Sequence, residues 1–255
     1  MSPAAEPSTA ASLPRREWPD PELSLVIPVF NEADNLAPLK EEIVQVMEDV
    51  AKRFEIIFVN DGSTDGSAEA LRGLRAGDSR VRVLTFERNA GQTAALAAGF
   101  AAARGAIVVS LDADLQNDPK DIPLLLEGLA GHDAAVGWRG SREDPWLRRI
   151  SSRVANTVRN ALSDDDIIDT GCSLKAFRRE ALLRIKLFNG MHRFLPTLLR
   201  MEGYRVCQVK VGHRPRLSGE SKYNIRVRAF RSFADLLAVR WMKRRMPRYH
   251  ATEER

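Results

Sequence analysis

The chain has no run of 18 apolar residues, so the sequence predicts no transmembrane helix. Its first twenty residues lack the apolar centre of a secretory leader. Pro3, Pro7, Pro14 and Pro19 among Ala and Ser read instead as a disordered tail over residues 1–21. Cysteine is scarce: Cys172 and Cys207 are the only two and form no C-x-x-C. That argues against a disulfide framework, fits a reducing compartment, and leaves both thiols as small buried side chains. No G-x-G-x-x-G follows the first strand pattern and no G-x-x-x-x-G-K-[ST] occurs, which excludes a glycine-cradled dinucleotide or P-loop site. Helix-turn-helix, finger and RNA-binding signatures are absent too.

What is present is globular: 255 residues, 44% hydrophobic and 29% charged, enough for one large α/β domain or two small ones. The net charge of +5 favours anionic partners, but its sign does not choose between nucleic acid, anionic lipid and a phosphorylated substrate.

Apolar runs alternate with helical periodicity. Strands are predicted at 23–30, 55–59, 81–86 and 106–112, with helices at about 35–51 and 92–104 and a capped helix after Asp65. This alternation argues for a mainly parallel sheet with helices on both faces. Ligands of such sheets sit at the carboxyl ends of the strands. Here each end is polar: Asn31 and Glu32, Asn60 and Asp61, Arg88 and Asn89, then Asp112 and Asp114. In the run Leu111-Asp112-Ala113-Asp114-Leu115-Gln116, continued extension would point Asp112, Asp114 and Gln116 to one side. Three oxygen ligands there suit Mg²⁺ or Mn²⁺, with substrate phosphates completing the shell. The plainer alternative is a solvated acidic turn closed by Pro119.

Three stretches in this order, Ile27-Pro28-Val29-Phe30-Asn31-Glu32, Val59-Asn60-Asp61-Gly62-Ser63-Thr64-Asp65 and Leu111 to Gln116, resemble the signatures of family 2 glycosyltransferases with the GT-A fold. Asp169-Thr170-Gly171-Cys172-Ser173-Leu174-Lys175, Met191-His192-Arg193-Phe194-Leu195-Pro196 and Gly219-Glu220-Ser221-Lys222-Tyr223 resemble the polyprenyl-phosphate branch, of the dolichol-phosphate mannose synthase type. The resemblance implies a catalytic domain over 22–224, with a nucleotide-sugar half (22–118) and an acceptor half (119–224). It implies donor contacts from Pro28, Asn31, Glu32, Asn60, Asp61 and Asn89, and a metal held by Asp112, Asp114 and Gln116. Arg139 and one of Arg148 or Arg149 would grip the acceptor phosphate, and Lys222 would meet a phosphate on loop closure. Asp112, Asp114, Arg139 and Asp169 form the implied catalytic set, with Asp169 orienting the sugar or an acceptor arginine. Arg193 is a candidate for phosphate or carboxylate contact, and His192 has no assigned role. The sequence departs from the family at Gly137-Trp138-Arg139, where Gly-Ser-Arg is usual, and at Asn60, where many relatives have Asp. Many relatives also continue into paired transmembrane helices.

Two stretches read as amphipathic helices. Trp146, Ile150, Val154, Val158 and Leu162 recur every four residues beside arginines; core packing and a lipid-facing role are both open. Residues 226–248 hold eight Lys or Arg and one acid, Asp235, with a stripe of Phe230, Phe233, Leu237 and Trp241. That is the pattern of a basic interface helix, here 225–255 with its tail, docking on a membrane surface or a membrane-protein partner. The expected reaction is metal-dependent, inverting transfer of one sugar from a nucleoside diphosphate sugar to a polyprenyl phosphate, on the cytoplasmic face of the membrane. A family 2 enzyme with a soluble glycan acceptor is the alternative. A nucleic-acid-binding protein using the basic C-terminus is a weak third.

Overall fold

The computed structural model describes residues 20–50, 52–140, 166–215 and 225–246, without the side chains of 225–232. Arg148, Arg149, Lys222, the stripe from Trp146 to Leu162 and nearly all of the N-terminal tail lie outside those residues. So does the side chain of Phe230.

The first half follows the predicted alternation: β1 (Leu23–Val29), α1 (Ala33–Val50), β2 (Phe54–Asn60), α2 (Ser67–Gly77), β3 (Val81–Thr85), α3 (Gln92–Ala102) and β4 (Ile107–Ser110). The second half adds α4 (Ile122–Gly128), β5 (Ala134–Arg139), β6 (Lys175–Arg178), α5 (Arg179–Leu183), α6 (Leu195–Met201), β7 (Val206–Val211) and α7 (Ile225–Arg245). Among the described residues no helix is long and apolar enough to cross a membrane.

The seven strands form one sheet in the order β3-β2-β1-β4-β6-β5-β7. β1 pairs in parallel with β2 and β4, and β5 with β7, whereas β6 runs antiparallel to both β4 and β5. The chain therefore leaves β1 towards one edge and returns to β4 on the other side, placing a crevice between the ends of β1 and β4. Because β6 is reversed, the residues before it lie at the same edge as the residues after β4 and β5.

β1 carries side chains to both faces, as its unbroken apolar run requires. Leu23, Leu25, Ile27 and Val29 pack with Leu36, Leu39 and Ile43 of α1 and with Leu71 of α2. Val26, Ile57 and Val59 face Ala95, Leu96 and Phe100 of α3. Pro28 sits in this central strand without breaking it. Val26 O receives Leu111 N–H on the β4 side, and Val29 O receives Asp61 N–H on the β2 side. The N–H that Pro28 lacks would point to the β4 side, where β4 has already ended.

At the opposite edge, buried Glu55 accepts hydrogen bonds from Ser24 Oγ (2.7 Å), Arg104 N–H (2.8 Å) and Arg82 Nη1 (2.6 Å). This carboxylate ties β1, β2, β3 and the end of α3 together. Glu55→Ala removes the shared acceptor of a half-buried guanidinium, a hydroxyl and a backbone donor, and is expected to cost about 2 kcal/mol in urea unfolding. A loss below about 1 kcal/mol would show that this knot is dispensable.

Candidate active site

The loops at the carboxyl edge are built largely by the polar residues that the motifs single out. Asn31 has a left-handed backbone (φ 58°). Its N–H donates to Ser63 Oγ (3.0 Å), and its Oδ1 accepts Thr64 N–H (2.8 Å). Glu32 accepts from Asn35 Nδ2 (2.6 Å), and Asn60 Oδ1 receives Ser63 N–H (3.0 Å). Buried Asp61 accepts Ala90 N–H (2.7 Å), Gly91 N–H (2.9 Å) and Asn89 Nδ2 (3.0 Å), holding the turn that starts α3. Gly62 allows that turn to close: its φ is +65°, and a Cβ there would lie 2.5 Å from the backbone of Arg88 and Asn89. These side chains are fixed parts of the crevice wall, and whatever donor contacts they offer come from a rigid frame.

The acidic loop corrects one expectation. β4 stops at Ser110, two residues earlier than predicted, and Leu115 has φ 59°. Extension therefore does not continue through Gln116, and strand alternation does not aim Asp112, Asp114 and Gln116 to one side. The local hydrogen bond from Gln116 N–H to Asp114 Oδ1 (3.2 Å) replaces the ladder there. Arg214 secures the loop from behind. Its N–H donates to Gln116 O (2.9 Å), and its guanidinium binds Asp118 (2.8 Å) and both oxygens of Glu42.

Asp112 is half-buried and accepts from Gln92 Nε2 (2.8 Å); Asp114 is buried. Burial, and then the charge of Asp114, push the Asp112 carboxyl above the usual carboxylate range. Two hard carboxylates held close enough to repel fit a divalent cation, whose charge would relieve both. Among the described residues no three His, Cys, Asp or Glu converge as a complete metal cage. Such a cation would need further ligands such as diphosphate oxygens.

Across the crevice, Arg139 ends β5 and Asp169 precedes β6. They form a bidentate pair, Nε to Oδ2 at 2.6 Å and Nη2 to Oδ1 at 2.9 Å. Burial disfavours the Arg139 charge, but Asp169 outweighs it and raises the guanidinium above its ordinary value. Asp169 also accepts Gly171 N–H (3.0 Å), and Arg139 is close enough for its charge to act on Asp112.

Beside Asp112 and the turn that follows Asp169 lies an open cleft that includes Gln92, Asp112, Ser173, Lys175, His192 and Arg193 in its lining. Thr93 fixes the histidine. Its buried hydroxyl accepts Gly190 N–H (2.9 Å) and lies 2.7 Å from His192 Nδ1. That pair fixes the orientation of the imidazole ring. Gln92, Thr93, Lys175 and Arg214 have no role in the sequence reading. Lys175 left a trace, a charge inside the apolar run Leu174-Lys175-Ala176-Phe177; the others left none. Cys172 is buried and Cys207 half-buried, and both are free thiols. Asp166 pairs with Arg200.

Residues 24–185 match the model of glycosyl transferase family 2. The chain belongs to that family. It is 40% identical over 229 residues to the dodecaprenyl-phosphate galacturonate synthase of Rhizobium johnstonii, covering 88% of this chain and 68% of that protein. It is 37% identical over 206 residues to the undecaprenyl-phosphate 4-deoxy-4-formamido-L-arabinose transferase of Aeromonas hydrophila, covering 80% and 63%. The chain thus spans about two thirds of the length of these relatives. Glucosyl-3-phosphoglycerate synthase of Mycobacterium tuberculosis, solved with Mn²⁺, UDP-glucose and phosphoglyceric acid, superposes with a TM-score of 0.68 at 20% identity, covering 89% of this chain and 86% of that one. A mannosyltransferase of Pyrobaculum calidifontis, solved with GDP-Man and Mn²⁺, gives 0.59 at 21% identity, covering 88% and 70%. The GT-A fold expected for this family 2 glycosyltransferase is the fold observed.

Asp61→Ala removes the acceptor for two backbone N–H groups and a side-chain amide. It is expected to lower stability by about 2 kcal/mol. An unchanged urea midpoint would show that the turn before α3 holds without it.

Proposed function

We propose that this glycosyltransferase moves one sugar from a nucleoside diphosphate sugar to a polyprenyl phosphate, with inversion and with Mg²⁺ or Mn²⁺. The observation that carries the choice of acceptor is the Arg139–Asp169 pair. A hydroxyl acceptor needs a carboxylate such as Asp169 or Asp114 to take its proton; both oxygens of Asp169 are engaged by a guanidinium, and Asp114 is assigned here to the cation. A phosphate monoester has a second pKa near 6 and reaches pH 7 largely ionised, so it needs no base. The names of the two curated relatives support the same reading.

Asp112 and Asp114, with Gln116, would hold the cation, which stabilises charge on the departing diphosphate. Asp112 is kept in place by Gln92, and the loop by Arg214. Asp169 presets Arg139 so that its outer edge can meet the acceptor phosphate without reordering a flexible side chain. Arg193 lines the cleft beside Asp112 and would add a second positive contact.

The reading also covers α7. Leu236 and Val239 are buried against Met191, Phe194 and Leu198, whereas Phe233, Leu237 and Trp241 stand exposed at a spacing of four. Lys243, Arg244 and Arg245 follow in the last turn. An aromatic and aliphatic stripe ending in cations suits the headgroup region of an anionic leaflet and supports a peripheral position on the cytoplasmic face. A membrane-protein partner would use the same stripe.

The direct test incubates the protein with Mg²⁺ or Mn²⁺, labelled UDP- and GDP-sugars and a short polyprenyl phosphate. Metal-dependent passage of label into organic solvent is expected; label moving only to a soluble glycan would overturn the lipid acceptor. Asp114→Asn should lose metal-dependent turnover at least 100-fold while keeping its melting point, and wild-type turnover would remove it from the metal set. Arg139→Ala should raise KM for the lipid phosphate far more than for the donor; equal effects would argue against its acceptor role. Phe233, Leu237 and Trp241 changed together to Ser should weaken binding to anionic vesicles at least tenfold. Unchanged binding would exclude α7 as the docking element.

A further inference from the structure

Lys175 opens β6, paired with Ser110 of β4 on one side and Val136 of β5 on the other. It is 4% exposed and lines the cleft. Among the described residues its ammonium forms no hydrogen bond or ion pair. Asp112 and Asp169 act on it only from a distance, and burial pulls its pKa below that of an ordinary lysine. A largely buried lysine whose ammonium has no counter-ion is poorly solvated. A cleft can hold such a charge usefully when the ligand brings the anion.

The geometry narrows which anion. The donor diphosphate belongs to Asp112 and Asp114, beyond the end of β4, and the acceptor phosphate to Arg139 at the end of β5. Lys175 is level with Ser110, two residues inward from Asp112 in the chain. Ser110, Ser173, Leu96 and His192 line the same cleft. With the donor diphosphate held at Asp112 and Asp114 as proposed, that inner part of the cleft would face the transferred sugar. We infer that Lys175 is a specificity residue for an acidic sugar, binding the carboxylate of a uronic-acid donor. The inference rests on the donor half of the proposed function and names the substrate class that it leaves open.

Calorimetry with the full chain and Mn²⁺ tests it without any acceptor. The probes are matched pairs: UDP-galacturonate with UDP-galactose, UDP-glucuronate with UDP-glucose, and GDP-mannuronate with GDP-mannose. In at least one pair the acidic member should bind about 30-fold tighter or more, as expected for a desolvated charge pair. Lys175→Met should bring that ratio to within about threefold of one, and Lys175→Arg should keep most of it. Ratios near one in every wild-type pair would overturn the inference. So would a Lys175→Met variant that weakens both members alike, since that assigns the lysine to the diphosphate or to the fold. If Lys175→Met melts early, the wild-type ratio and Lys175→Arg decide alone. Discrimination without transfer to lipid would sink the lipid acceptor and leave this inference standing; transfer without discrimination would do the reverse.

Discussion

The site depends on the reversal of a single strand. β6 enters the sheet between β4 and β5 with opposite polarity, so its leading residues meet the trailing residues of its neighbours. In an all-parallel sheet the stretch from Asp169 to Lys175 would emerge at the far edge, beside Glu55. Reversed, it brings Asp169 to Arg139 and Lys175 beneath Asp112. The two halves of the domain, one carrying acids and the other a guanidinium and an ammonium, therefore share a cleft. The hydrogen bonds that lock the reversal, Gly137 N–H to Leu174 O and Ser110 Oγ to Ser173 O, lie next to the chemistry they position.

Where the sequence was legible, one physical signal dominated. The strands from β1 to β4 are apolar runs of the length a doubly covered sheet needs, separated by helical periodicity, and their boundaries fall within a few residues of those read. β5 and β6 were not read, nor was α4. β6 has four residues with a lysine at its head, and its partners lie about 40 and 65 residues away in the chain, so no local pattern announces it. The error at β4 has a local cause. Period-two alternation continued on paper through Asp112, Asp114 and Gln116, but no partner strand extends that far, and a left-handed Leu115 turns the chain instead.

The candidate site was legible as a list and not as a division of labour. Motif residues expected to touch a substrate spend much of their hydrogen-bonding capacity on one another: Asp61 on the turn before α3, Asn31 and Asn60 on the loop after β2. A polar residue at a strand end is needed both for binding and for holding a loop without secondary structure, and its type does not say which. Conversely, Gln92, Thr93 and Arg214 carry no motif, and their positions become meaningful only when distant segments meet.

Gly190 links the cleft to the outer face of the molecule. Its φ is +87°, and the carboxylate of Asp235 on α7 lies where a Cβ would be, 2.3 Å from that point. The same residue donates its N–H to Thr93, and Met191 and Phe194 of its turn share a core with Leu236 and Val239. Helix α7 and the histidine turn thus form one solid piece, with no compliant layer between them. Whatever medium α7 settles into sets the reference level for His192 and Arg193, much as a bench sets the height of a vice. In the proposed docking, the depth at which the helix rests would set the height at which the cleft meets its acceptor.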